Sequence, residues 1–300
     1  MANEKRDYSF MAFHIDLHYL KTTSKGQFDS TTWSGDFITD LFKHIEGLND
    51  VQRKMDVKGQ WFMLLEEVKY EEKYVYGYFT SAEYGSVRNL IHADTLIKRN
   101  NPKGIREGEE QYTHFFIRKS DGLLLLQWNQ KVTRSRVAEY IDKYSTDILR
   151  AYNYEYVNVC TLVGGEFLEE LKRLDVVKET ILEITSKEKS DDNEFIQEVQ
   201  DEVESLSATH VALSFKAKYQ RDGLGKLVPF INKFKGQKGV TSIKIIGDQD
   251  GAERKINIDT YSEKYRKSVK IDANGNPMSP NVYEQLERIA VKREMIHRNI

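Results

Sequence analysis

Two apolar runs, Tyr112–Arg118 and Leu123–Trp128, are separated by Ser120-Asp121-Gly122, and this constrains the fold more than any other feature. Asp-Gly between such runs closes a tight hairpin, which commits this part of the chain to an antiparallel sheet. The flanking sequence supplies further strands. Phe13, Ile15, Leu17 and Tyr19 alternate with His14, Asp16 and His18, the period of a half-buried strand. Arg53–Val57, Gln60–Lys69 and Lys73–Ser81 are rich in aromatic and β-branched residues and read as a meander, and Asn89–Ile97 reads as a further strand. Helical spacing recurs at Phe37, Ile38, Leu41, Phe42 and Ile45, with Ser34 as N-cap and Asn49 as the stop. A second helix, capped by Thr133 or Ser135, is expected to end near Tyr144.

Beyond residue 150 the pattern restarts. Tyr156–Val163 and Val176–Ile184 read as strands around a short helix, Glu166–Leu174. Residues 188–204 hold eight acids and one lysine, with Phe195, Val199 and Val203 four apart, as in an acidic amphipathic helix. His210–Tyr219 alternates, and Leu224–Phe234 is helical. Ser242–Ile246, Lys255–Thr260 and Ser268–Ile271 are strands, and a helix follows with Ser279 as N-cap and Pro280 as its first residue. The expectation is an α+β chain of two mixed domains, 1–150 and 151–300, each an antiparallel-rich sheet with packed helices.

Composition narrows the function. The hydrophobic fraction is 39%, the charged fraction 31% and the net charge −2, so bulk charge draws the chain neither to nucleic acid nor to anionic membrane. No stretch approaches the length of a membrane span, and the charged start Met1–Asp7 is unlike a signal core, which predicts a cytoplasmic protein. The single cysteine, Cys160, cannot form an internal disulfide and reads as a buried, inert thiol.

Local charge is less even. Lys216–Lys238 holds seven cations against one acid, Asp222, with Phe215, Tyr219, Phe230 and Phe234 interleaved. Phosphate contact needs positive charge without a particular sequence, so Lys216, Lys218, Arg221, Lys226, Lys233 and Lys235 are the candidate nucleic-acid ligands. Other constellations are weaker. His14, Asp16 and His18 share one strand face, but alternate positions lie about 7 Å apart, so three collinear residues do not readily converge on one ion. Asp56, Glu67 and Lys69 have the residue types of a metal-dependent nuclease. Gly223-Leu224-Gly225-Lys226 lacks the spacing of a phosphate-binding loop. No catalytic residue, metal or cofactor is expected. The acidic helix alone would make a protein-interaction module.

Taken in order, these elements resemble the RexA-like phage exclusion proteins. The resemblance is carried by HVALSFKAKYQRDGLGKLVPFINKF, SIKIIGDQDGAERKI and the helix after Ser279. In the first half the helix near 36–46, the meander and the hairpin THFFIRKSDGLLLLQW match by order. It implies a dimeric protein that binds double-stranded DNA with little sequence preference in abortive defence against phage, with a membrane-protein effector as partner.

Overall fold

The computed structural model describes residues 4–23, 26–57, 59–162, 165–186, 193–218, 222–234 and 239–296. The first alternating run extends into a strand of 19 residues, β1 (Lys5–Thr23), which pairs with β2 (Gly26–Thr32). The Ser34 hydroxyl accepts the Phe37 N–H at 3.2 Å and starts α1 (Gly35–Glu46). Asn49 does not stop this helix, which ends at Gly47. It caps one further turn, α2 (Asp50–Arg53), in a reciprocal capping box with Gln52.

The meander forms as β3 (Met55–Val57), β4 (Trp61–Tyr70) and β5 (Tyr74–Glu83). Residues 89–97 do not extend it. They contribute to a separate two-stranded sheet, β6 (Leu90–Ile91) with β7 (Lys98–Arg99), and their apolar residues Leu96 and Ile97 are exposed. The Asp-Gly hairpin is β8 (Gln111–Arg118) and β9 (Leu123–Gln127). Gly122 there has φ +77, and a Cβ would stand 2.7 Å from the Trp33 ring, so both backbone and space require glycine. Helix α3 (Arg134–Tyr152) runs two turns past Tyr144 to a left-handed Asn153, because Ser145 and Leu149 continue its buried face.

The later elements are β10 (Tyr156–Thr161), α4 (Gly165–Lys172), β11 (Val176–Thr185), α5 (Glu194–Ser205), β12 (His210–Lys216), α6 (Leu227–Phe234), β13 (Val240–Gln249), β14 (Ala252–Asn257), β15 (Lys264–Lys270) and α7 (Ser279–Lys292). Of the expected acidic helix, residues 188–192 lie outside the described residues. Ser279 is the first helical residue of α7 and not its cap. Its hydroxyl meets His114 Nε2 at 2.8 Å, while His114 Nδ1 lies 2.7 Å from Gln127 Oε1. Burial pushes the His114 imidazole below its ordinary pKa, favouring the neutral form.

The fold is α+β. A nine-stranded antiparallel sheet has the order β10-β1-β9-β8-β5-β4-β3, with β2 and β15 also paired to β1. Helices α1 and α3 cover one face over Phe13, Ile15 and Leu17, and α7 covers the other over Phe10, Phe116 and Leu125. A four-stranded sheet, β12-β11-β13-β14, packs α4, α5 and α6 through Leu182, Ile196, Phe234 and Ile245. Sheet membership therefore crosses residue 150: β10, β15 and α7 join the sheet built by the first half, and the second sheet is formed between them. Among the described residues, no helix is long and apolar enough to cross a membrane.

One buried side chain ties the first sheet to its helices. The ladder between β4 and β5 is irregular between Leu65 and Glu67, and the Leu65 N–H is taken by Tyr140 Oη at 3.0 Å. Tyr140 itself donates to Arg53 O at 2.7 Å. Tyr140→Phe leaves a donor and an acceptor buried without partners, so a loss of about 1–3 kcal/mol is expected. Urea unfolding midpoints would show it, with an unchanged slope.

Candidate nucleic-acid interface

The basic segment nominated from sequence lies on the four-stranded sheet and the helix beside it. Lys216 closes β12, and its ammonium is 3.3 Å from Glu179 Oε1 on the neighbouring strand. Glu179 also accepts from Ser214 Oγ at 2.6 Å. The Ser214 hydroxyl, and after it the Lys216 ammonium, hold this carboxyl below its ordinary pKa. Lys218 is exposed just beyond the strand, and Lys226 is exposed immediately before α6. Lys233 is exposed near the end of α6, with its ammonium 5.2 Å from the Phe234 ring. Arg221 and Lys235 lie outside the described residues.

The interleaved aromatics serve the core. Phe215 packs on Phe230 at 5.1 Å, Phe230 on Phe234 at 4.8 Å and Phe234 on Phe195 at 5.8 Å. Tyr219 lies outside the described residues. The glycine turn has a packing role as well: the Leu224 N–H bonds Val177 O at 2.8 Å, and a Cβ on Gly223 would stand 2.6 Å from that same oxygen. The outer face of this sheet is largely self-neutralised. Lys244 pairs with Glu183, and Lys178 lies 2.6 Å from Asp248.

A second cationic surface, not singled out from the sequence, is assembled on the large sheet. Strand β15 reads Lys264-Tyr265-Arg266-Lys267-Ser268-Val269-Lys270, four cations in seven residues with no acid. It pairs antiparallel with the start of β1, in the register Lys5 to Lys270, Asp7 to Ser268, Ser9 to Arg266 and Met11 to Lys264. Side chains alternate, so these pairs share the face opposite α7. Lys5 and Lys270 stand directly across from each other, an unfavourable like-charge pair.

Among the described residues, Lys5, Lys264, Arg266, Lys267 and Lys270 form no ion pair. Two of the nearby acids are already engaged. Glu263 pairs with Arg293 at 3.1 Å, and Asp272 accepts the N–H groups of Asn274 and Asn276. Asp7 is the one acid in the row. Trp128, 55% exposed, donates its backbone N–H to Ser9 O at 2.8 Å, which sets Trp128, Ser9 and Arg266 in line across the sheet. Beside it opens a cleft of about 320 Å³ lined by Met11, Trp128, Thr133, Arg134, Thr241 and Ser262.

No family model and no curated protein matches the chain. A row of exposed and half-buried cations with one acid, Asp7, among them suits a polyanion whose backbone carries repeated charge. The nuclease constellation is not assembled. Asp56 sits across from Phe62 and Glu67 across from Tyr78, and their β5 partners Ala82 and Tyr78 are four residues apart, roughly 13 Å along the strand. Asp56 is instead 2.9 Å from Lys54, and Glu67 3.1 Å from Lys69.

A short basic run such as Lys264–Lys270 is visible in the sequence as four cations without an acid. Its value comes from being placed opposite Lys5 and next to Trp128, which the local pattern does not contain.

Proposed function

We propose that the protein binds double-stranded DNA without sequence preference, through phosphate contacts from Lys5, Lys264, Arg266 and Lys270. The observation that carries this reading is the single face on which Lys264, Arg266 and Lys270 line up with Lys5, where a bound phosphate backbone would relieve the Lys5–Lys270 repulsion. Lys218, Lys226 and Lys233 supply a second exposed basic segment, with Lys216 shared with Glu179. A role in phage exclusion, a homodimeric state and a membrane-protein effector belong to the same reading and rest on the resemblance of His210–Phe234 and Ser242–Ile256 to the RexA-like proteins.

Fluorescence anisotropy with a labelled random-sequence duplex, titrated at several salt concentrations without divalent metal, tests the proposal. Neutralising about four phosphates gives a log–log salt slope of about −3.6, or roughly a hundredfold loss of affinity between 50 and 200 mM salt. Absence of binding at low salt would overturn it. The exposed acids of α5, Glu194, Glu198, Asp201, Glu202 and Glu204, would then make a protein-interaction module the better reading.

A further inference from the structure

Strand β10 reaches the sheet from the second half of the chain and lies antiparallel to β1, with Cys160 across from His14, Asn158 across from Asp16 and Tyr156 across from His18. These even-numbered β1 residues point away from the core formed by Phe13, Ile15 and Leu17. His14 and Asp16 by themselves are a strand-face pair. The cross-strand position adds the chain's single cysteine to them.

His14 Nε2 lies 2.7 Å from Asp16 Oδ2, and Cys160 Sγ lies 3.7 Å from the same oxygen. All three donor atoms fall within 4.8 Å of one another. Asp16 is 7% exposed and Cys160 5%, whereas His14 is half-buried and gives the cluster its opening to solvent. The other ring nitrogen, His14 Nδ1, is buried without a hydrogen bond, so the imidazole's polar engagement is with this cluster.

We infer that His14, Asp16 and Cys160 form a binding site for zinc or a similar borderline divalent cation, which staples β10 to β1. The donor set decides the class of ion. Thiolate and imidazole select zinc-like metals, while magnesium and calcium take oxygen ligands. With metal–ligand bonds of about 2.0–2.3 Å, a tetrahedral site has edges of about 3.3–3.6 Å. The separation from sulfur to carboxylate is close to this, the contact from His14 to Asp16 must open by about 0.6 Å, and the edge from His14 to Cys160, within 4.8 Å, must close by up to about 1.2 Å. Three protein ligands leave a fourth position for water. Binding converts the Cys160 thiol to thiolate and releases its proton.

The experiment uses the full chain, stripped with a chelator and titrated with cobalt(II) as a spectroscopic stand-in for zinc. Because Cys160 is the only cysteine, a sulfur-to-cobalt charge-transfer band in the near ultraviolet identifies it as a ligand without any variant. The expected result is such a band saturating at one ion per chain, reversed by zinc, and weakened at least tenfold in H14Q. Saturating cobalt with no charge-transfer band would overturn the inference. So would a band that persists at full affinity in both H14Q and D16N.

Discussion

Arg118→Ala is expected to destabilise the protein by about 3–5 kcal/mol, as for other buried charge pairs that lose one partner. Arg118 is 7% exposed, and all five of its N–H groups are used. Nε and Nη2 grip Asp121 at 2.9 and 2.6 Å. Nη1 donates to the carbonyls of Ala290 and Arg293, and Nη2 to that of Glu294. These carbonyls close the end of α7, where helix C-termini leave acceptors unpaired and favour a cation. Asp121 in turn accepts the N–H of Ile296 at 2.8 Å. One guanidinium thus joins the Asp-Gly hairpin to α7, 172 residues away. Lysine has three donors from one point and cannot replace the fork.

Urea unfolding of Arg118→Ala beside the double variant Arg118→Met/Asp121→Leu separates the causes. The double variant should recover a large part of the loss, because it leaves no buried carboxylate without a partner. A loss below about 1 kcal/mol in the single variant would refute the account. Acid should act on the same element. Burial by itself raises the Asp121 carboxyl, but the Arg118 hydrogen bond and the N–H groups of Ile296 and Leu123 outweigh it and leave the pKa lowered. A carboxyl lowered in the folded state contributes stability above its unfolded pKa of about 3.9, and that contribution disappears as pH falls through the folded value. The wild type should therefore lose the Asp121 contribution below about pH 4.

Reversing the charge of the β15 row should have the largest effect on binding. In the triple variant Lys264→Glu, Arg266→Glu and Lys270→Glu, duplex affinity at 50 mM salt should fall by about a hundredfold or more, and the salt slope should shrink by about 2.7, the share of three phosphates. These side chains are exposed or half-buried and form no ion pair among the described residues, so the fold should tolerate the change. The matching variant of Lys218, Lys226 and Lys233 tests the other basic segment. If that set abolishes binding while the β15 set leaves it unchanged, the phosphate contacts belong to β12 and α6. Circular dichroism on both variants confirms that the protein remains folded.

Local structure was largely legible in the amino-acid order. The Asp121-Gly122 hairpin, the Ser34 cap, the alternating start of β1 and the stripe of α7 each follow from neighbours a few residues apart. Hydrogen bonding and side-chain periodicity act over that range. Tertiary structure decided which strands meet. The pairing that seats β10 and β15 on β1, and the packing of α7 on β8 and β9, join residues more than a hundred positions apart, and no local period records them. The same distance governs the chemistry. Lys216 reads as a phosphate ligand until β11 sets Glu179 across from it, and Lys270 reads as an ordinary strand lysine until β1 sets Lys5 there. Cys160 reads as an inert thiol until β10 lies against His14 and Asp16. A side chain's type is written in the chain, but its charge balance and its ligand partners depend on the residue across the ladder. That residue is chosen by how the apolar faces pack.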